Sequence, residues 1–465
     1  MQDLTTGPVA RHLVKTAAFM LVMMVFQTLY FLVDLYWVGR LGTDAVAGVA
    51  LAGNVSFLTL AVGQVLAVGT TTAVSHAAGR KDAAGARHVF QQAVLLSAAV
   101  GLGFLALGLA LREGYAARAA ADAATAARAA EYLLWFVPAM ALQFPFGAMG
   151  AAMRATGQFR RVMAVSIGTV VVNMALAPAL MFGWGTGRPM GVAGTAAATL
   201  VSVALGGGAV AWSFRRPDAF LHLRGFGWRP DLAAWRRVLG VGLPAGFEFA
   251  MMALYQFVVY AVARPFGAPA QAGFGIGLRV VQAGFMPVVA LGMAVGPVAG
   301  QNVGAGLAER VRATFRSGVV MAVGLMAVLT VLAHVAPAAL VRVFTRDPAV
   351  VAVGAEYLQV ISWNFVASGI IFVAGSLFQA LGNTLPPLLA SATRMALLLG
   401  PVVALARRPG FALHWVWWLA AGTVYVQLAL VLWLLRREFA RRLGGGATPV
   451  VPAVPAVPLA AAEGA

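Results

Sequence analysis

The chain contains no cysteine, which excludes disulfides and thiolate-held metals. Charge is scarce: Asp, Glu, Lys and Arg make up 10% of 465 residues, and acids are scarcer than bases, 15 against 33. There is no His-Glu-x-x-His, no Gly-x-Ser-x-Gly, no paired-Asp loop motif and no Gly-rich phosphate loop. The usual signatures of a membrane-embedded enzyme and of direct ATP use are therefore missing. The six histidines are scattered without metal-ligand spacing, and His76 and His88 are expected in a loop. What remains is hydrophobic: 61% of residues are apolar and the mean hydropathy is +0.86, the composition of a polytopic membrane protein.

Apolar segments of spanning length fall at 13–38, 45–74, 89–111, 131–153, 160–184, 189–214, 237–263, 270–299, 313–337, 357–381, 386–406 and 411–435. The first is too long for a signal-peptide core and reads as a retained transmembrane helix. Twelve spans put both termini on one side. The loops on that side carry 21 of the 33 Lys and Arg, the opposite loops 10, and Arg279 and Arg394 lie inside spans. The positive-inside bias predicts a multi-pass protein of the cell (inner or plasma) membrane with both termini cytoplasmic. The net charge of +18 is thus a matter of topology, and no nucleic-acid partner is implied. The Ala- and Arg-rich stretch from Arg112 to Arg128 is expected to form a surface helix on the outer side.

Shifting the sequence by 225 residues aligns it with itself. Arg11 meets Arg236, Leu29-Tyr30 meets Leu254-Tyr255, and Gly42, Gly48 and Gly79 meet Gly267, Gly273 and Gly304. Glu131-Tyr132-Leu133 meets Glu356-Tyr357-Leu358, and Ala155 and Gly157 meet Ala380 and Gly382. Six spans separate equivalent positions, so the repeat is parallel, about an axis along the membrane normal. The expected fold is all-α: twelve transmembrane helices in two pseudo-twofold-related six-helix lobes. The boundaries are an N-lobe over 1–214, a cytoplasmic linker over 215–236, a C-lobe over 237–443 and a disordered Pro/Val/Ala tail over 444–465.

Asp34 stands out within this frame. No charge separates it from Lys15, so it lies inside the first span, where a carboxylate costs ~2.5–3.5 kcal/mol at the helix centre. Tyr30 and Gln27, four and seven residues earlier, share its face. Its repeat partner is Val259, so the acid belongs to the N-lobe alone. The other acid within a span is Glu248, four residues after Pro244. It could be a substrate counter-ion, a second proton site or a partner for Arg279 in the next span.

At this point the chain resembles the multidrug and toxic compound extrusion (MATE) transporters, over roughly residues 10–435. The resemblance rests on Asp34-x-x-x-Val38-Gly39-Arg40-x-Gly42, Ala155-Thr156-Gly157, Asn173, and Met190-Gly191-Val192-x-Gly194-Thr195. In the second half it rests on Gly273-Phe274-Gly275-Ile276-Gly277-x-Arg279 and Gly300-Gln301-Asn302-x-Gly304-Ala305-Gly306. It implies a monomeric secondary antiporter that exports small amphiphilic, often cationic, compounds across the bilayer. It also implies that Asp34 binds the coupling cation near Asn173 and Thr195, with no cofactor or resident metal. Gln27, Tyr30, Glu248 and Arg279 are candidates for the substrate cavity or a secondary proton site.

Three positions depart from the family pattern. Ala177 stands where many members have an Asp, Met252 where one branch has an acid, and Phe19 where some have a Pro. Losing the Asp removes an oxygen donor from a sodium site at Asp34 and Asn173, which favours protons, for which one carboxyl suffices. The alternative transporter is a lipid-linked-precursor flippase of related two-lobe plan. Such flippases usually need a cation-lined cavity, and the clearest cations within spans here are Arg279 and Arg394. A membrane-embedded enzyme is the alternative from a different class.

Overall fold

The computed structural model describes residues 2–184, 187–215, 220–223, 229–405, 408 and 410–443. Among them there is no strand. The first half forms α1 (Val9–Gly39), α2 (Thr43–Gly79), α3 (Ala83–Ala119), α4 (Ala123–Ala155), α5 (Phe159–Phe182) and α6 (Val192–Ser213). The second forms α7 (Leu232–Ala263), α8 (Ala268–Gly304), α9 (Ala308–Val335), a short α10 (Pro337–Arg342), α11 (Pro348–Ile361), α12 (Phe365–Leu381), α13 (Leu385–Leu405) and α14 (Leu413–Leu443). A 3-10 turn at Ser362–Asn364 joins α11 and α12 into one span, giving twelve spans among the described residues. Helices are what a bilayer permits, because the backbone must satisfy its own hydrogen bonds. The outside is correspondingly greasy: Leu102, Leu107, Leu205, Val328 and Val335 are all exposed.

Where the helices start and stop follows local chemistry. Asp82, Asp122, Asp231 and Asp347 cap α3, α4, α7 and α11, their carboxylates accepting from first-turn amides. Gly42 and Gly267, 225 residues apart, precede α2 and α8 with φ of 104° and 86°, a region closed to most side chains. Three expectations are corrected. The Arg112–Arg128 stretch is not a separate surface helix: it divides between the end of α3 and the start of α4, because Asp122 caps a new helix there. The linker boundary at 236/237 falls inside α7, which Asp231 starts at Leu232. His76 is not in a loop, since α2 runs on to Gly79 before a tight turn at Arg80, and His88 lies in α3. The 444–465 tail lies outside the described residues.

The two halves pack as lobes whose contact is reciprocal, as a twofold axis requires. Near the end that carries the termini, α2 crosses α8 with glycine on both sides. A Cβ on Gly79 would strike the carbonyl of Gln301, and one on Gly304 the carbonyl of His76. Gln301 is the repeat partner of His76. The hydrogen bonds across the seam repeat the symmetry. His76 Nε2 donates to the Ala380 carbonyl at 2.6 Å, and Gln301 Nε2 donates to the Ala155 carbonyl at 2.8 Å. Ala155 and Ala380 are themselves repeat partners.

The seal runs from this end to about the middle of α2, where Gly242 and Gly246 of α7 pack on Val65. The cluster that joins α1 to the C-lobe draws its N-lobe members from Leu4, Val9, Leu13, Met20 and Phe159. A smaller one ties Leu66, Leu96 and Phe144 to Val238. The apolar cluster farther from the termini, around Ala52, Tyr132, Phe136 and Val192, holds no C-lobe residue. Beside α1, α5 and α8 a cavity of about 170 Å³ opens, lined by Met20, Met24, Gln27, Ser166, Val170 and Met293. The lobes therefore meet at the terminal end and part toward the other.

Candidate functional site

Asp34 sits in the last turns of α1, half-buried, with its Oδ1 fully buried and no protein hydrogen bond. It lies in electrostatic range of two N-lobe tyrosines, Tyr30 one turn earlier on α1 and Tyr132 on α4. Tyr132 is 5% exposed. An orphaned acceptor in such a place is costly, and taking a carboxylate out of water disfavours its charged form. The group calls for a proton, a cation or a water.

The neighbouring polar network is committed elsewhere. Thr199 donates its one hydroxyl proton to the Thr195 carbonyl at 3.0 Å. The same oxygen accepts from Asn173 Nδ2 at 3.1 Å, and Tyr30 OH lies 3.4 Å from it. With the Thr199 proton spent, Tyr30 must be the donor in that contact. The proton of Tyr30 thus points at Thr199 and not at Asp34. Asn173 and Thr199 are 4% and 7% exposed, so this triad is packed and oriented, and Tyr30, one turn before Asp34 on α1, ties it to the helix that carries the acid.

Thr195, named from the sequence, takes a different part: its hydroxyl donates to the Val192 carbonyl of its own helix at 2.8 Å. Thr199 bridges the network instead. Sequence reasoning missed Thr199 and Tyr132. The signals were available: Thr199 is one helical turn beyond Thr195, and Tyr132 lies in a repeated Glu-Tyr-Leu. Gln27 is exposed and lines the cavity between the lobes, seven residues before Asp34 on α1.

In the C-lobe, Glu248 accepts from Ser391 Oγ at 3.2 Å. Ser391 accepts from Gln427 Nε2 at 3.0 Å, and Gln427 Oε1 accepts from Arg394 at 3.5 Å. Glu248 is not paired with Arg279, a possibility the sequence left open. Arg279 is exposed on α8 with no side-chain hydrogen bond or ion pair among the described residues. Ala177, at the position of the missing Asp, is buried and supplies no ligand. Among the described residues no group of three or more His, Asp or Glu could hold a metal.

Comparison with known proteins gives one consistent result. The MatE family model matches residues 20–179 and again 244–405, once per lobe. A probable multidrug resistance protein NorM of Deinococcus radiodurans is 29% identical, over 87% of this chain and 90% of its own. The multidrug resistance protein NorM of Burkholderia vietnamiensis is 27% identical, over 91% and 94%. A solved MATE structure in a bent conformation superposes with a TM-score of 0.87 at 22% identity, covering 95% of this chain and 97% of that one.

Proposed function

The chain belongs to the MatE family, and from that premise we propose that it is a proton-coupled antiporter that exports amphiphilic, often cationic, compounds. The observation that supports this reading is Asp34: an acid within a span, its Oδ1 buried and unpartnered, present in one lobe only. A proton serves such a group better than sodium. Ala177, where many family members carry an Asp, offers no second carboxylate. With the more basic side cytoplasmic, the sealed end faces the cytoplasm and the open end faces out.

The fold supports the following cycle. Asp34 takes a proton from the outside while the lobes are parted there. Rocking breaks the reciprocal seal around His76 and Gln301, opens the cytoplasmic end and lets the proton leave inward. Drug loaded there is carried out on the return. One proton falling through 100 mV supplies ~2.3 kcal/mol, and one pH unit adds about 1.4 kcal/mol. Together these sustain a gradient of several hundred-fold for a neutral compound exchanged one for one. For a monovalent cation the exchange is electroneutral and only the pH difference drives it.

The test is drug flux in proteoliposomes with proton and sodium gradients imposed separately. Export should follow the proton gradient, and Asp34→Asn should abolish that dependence while drug still binds. Wild-type export by the Asn variant would move the coupling site away from Asp34. Export driven by sodium alone would replace the proton.

A further inference from the structure

The C-lobe repeats the tyrosine pair of the N-lobe and sets a charge of the opposite sign beside it. Under the 225-residue shift Tyr30 and Tyr132 become Tyr255 and Tyr357. Asp34 lies in electrostatic range of the first pair, and Arg394 of the second. The Arg394 guanidinium carbon is 5.2 Å from the Tyr255 ring centroid, within cation–π range. Neither charge is inherited from the repeat: position 34 corresponds to Val259, and Arg394 to Thr169.

Arg394 is poorly satisfied for a guanidinium in the middle of a span. Five N–H groups are available to it. One makes a long bond, 3.5 Å, to Gln427 Oε1, and Nε is buried without any acceptor. Among the described residues it makes no ion pair, and its link toward a carboxylate runs through Gln427 and Ser391 to Glu248. Its second Nη makes no hydrogen bond among the described residues and, unlike Nε, is not fully buried, so that nitrogen remains reachable. The N-lobe interior thus presents an unpartnered acceptor and the C-lobe interior an unpartnered, charged donor.

We propose that the C-lobe holds a binding site for a small monoanion, a halide or a carboxylate, at Arg394 between Tyr255 and Gln427. The unbonded Nη donates a charge-assisted hydrogen bond to the anion, while the Tyr255 face holds the guanidinium plane in place. Glu248 is a built-in competitor: its negative charge, two links away, weakens the site while it is ionised. The site is separate from proton coupling at Asp34 and does not depend on it.

The test uses the purified full-length protein in a non-ionic detergent and chloride-free sulfate buffer, titrated with chloride while the chlorine-35 NMR line width is followed. Wild type should show a saturable broadening. Arg394→Gln should remove most of it, at least a tenfold loss of affinity. Glu248→Gln should tighten binding several-fold, and Asp34→Asn should leave it unchanged. Displacement of chloride by benzoate extends the site to carboxylates, and chloride bound without such displacement makes it a halide site. No saturable broadening in wild type, or the same broadening in folded Arg394→Gln, overturns the proposal. Should Arg394→Gln fail to fold, unchanged affinity in Glu248→Gln overturns it.

Discussion

The two lobes have one plan and two interiors. Their helices follow one another in the same order, Gly42 and Gly267 make the same turn, and the contacts of His76 and Gly79 across the seam are mirrored by those of Gln301 and Gly304. Inside, the N-lobe places an acid beside its tyrosine pair and the C-lobe places an arginine. The seam is where symmetry is useful, because one geometry must be closed from both sides at once. The interiors are free to diverge, since each is enclosed by its own six helices. The residues proposed for coupling and for anion binding are those that remain when one half is subtracted from the other.

The largest effect should come from the most asymmetric residue. Asp34→Asn should reduce gradient-driven export in proteoliposomes to the passive leak, whereas Glu248→Gln should keep at least half of it. Equal losses would mean that both lobes carry coupling protons.

Next comes the shared seam. Gly79→Val and Gly304→Val each drive a side chain into a facing carbonyl. Each should lower stability by about 1–3 kcal/mol, the usual range for overpacking, and by similar amounts because the positions are equivalent. Thermal melting of the two purified variants compares them directly. A large inequality would show that the seam is less symmetric in energy than in geometry.

A smaller effect separates two threonines. Thr199→Val leaves Asn173 Nδ2 and Tyr30 OH without their shared acceptor, a loss of about 1–3 kcal/mol for buried groups. Thr195→Val removes only a bond to its own helix and should cost under about 1 kcal/mol. Melting temperatures that rank the two the other way would dissolve the network drawn around Thr199.

The smallest effect lies where the inter-lobe segment docks on α3. The hydrogen bond from His88 at 2.8 Å, helped by the Ala233 and Ala234 amides, holds the Asp231 carboxyl below its ordinary value of 3.8. A lowered carboxyl stabilises the docked form above that ordinary value and loses its effect as pH falls through the bound one. Protection of the Ala233 amide in hydrogen exchange should therefore hold from pH 7 to about pH 4.5 and decline only below the ordinary carboxylate range. Protection already lost at pH 5 would mean that Asp231 is not the anchor.

Spans, lobes and the repeat were legible in the sequence because each rests on many residues at once. Hydropathy over twenty positions, or a shift that aligns a dozen residues, survives local error. The site was legible only in part. Asp34 could be read, since a charge in an apolar run needs a reason wherever it points. Thr195 and Thr199 lie one turn apart, and only the packing of α5 against α6 decides which hydroxyl reaches Asn173. The sequence places His76 in a loop, whereas α2 runs on to Gly79. Only the facing helix shows that the side chain is buried against Ala380.

The residues before α1 also take hold of both lobes. The amide of Gln2 donates to the Thr156 carbonyl of the N-lobe at 3.0 Å, and the amide of Leu4 donates to Gln301 Oε1 of the C-lobe, also at 3.0 Å. The Leu4 carbonyl receives longer bonds from Asn302 and Arg310, and its side chain is 1% exposed. Gln2 and Leu4, separated by one residue, are thus stitched across the seam like a hasp over a door. Any swing that parts the lobes at this end must first unfasten it, so the opening rate should depend on a segment that touches neither drug nor proton. Shortening this strip, or burdening it with a bulky fusion, would alter how fast the machine turns without altering what it carries.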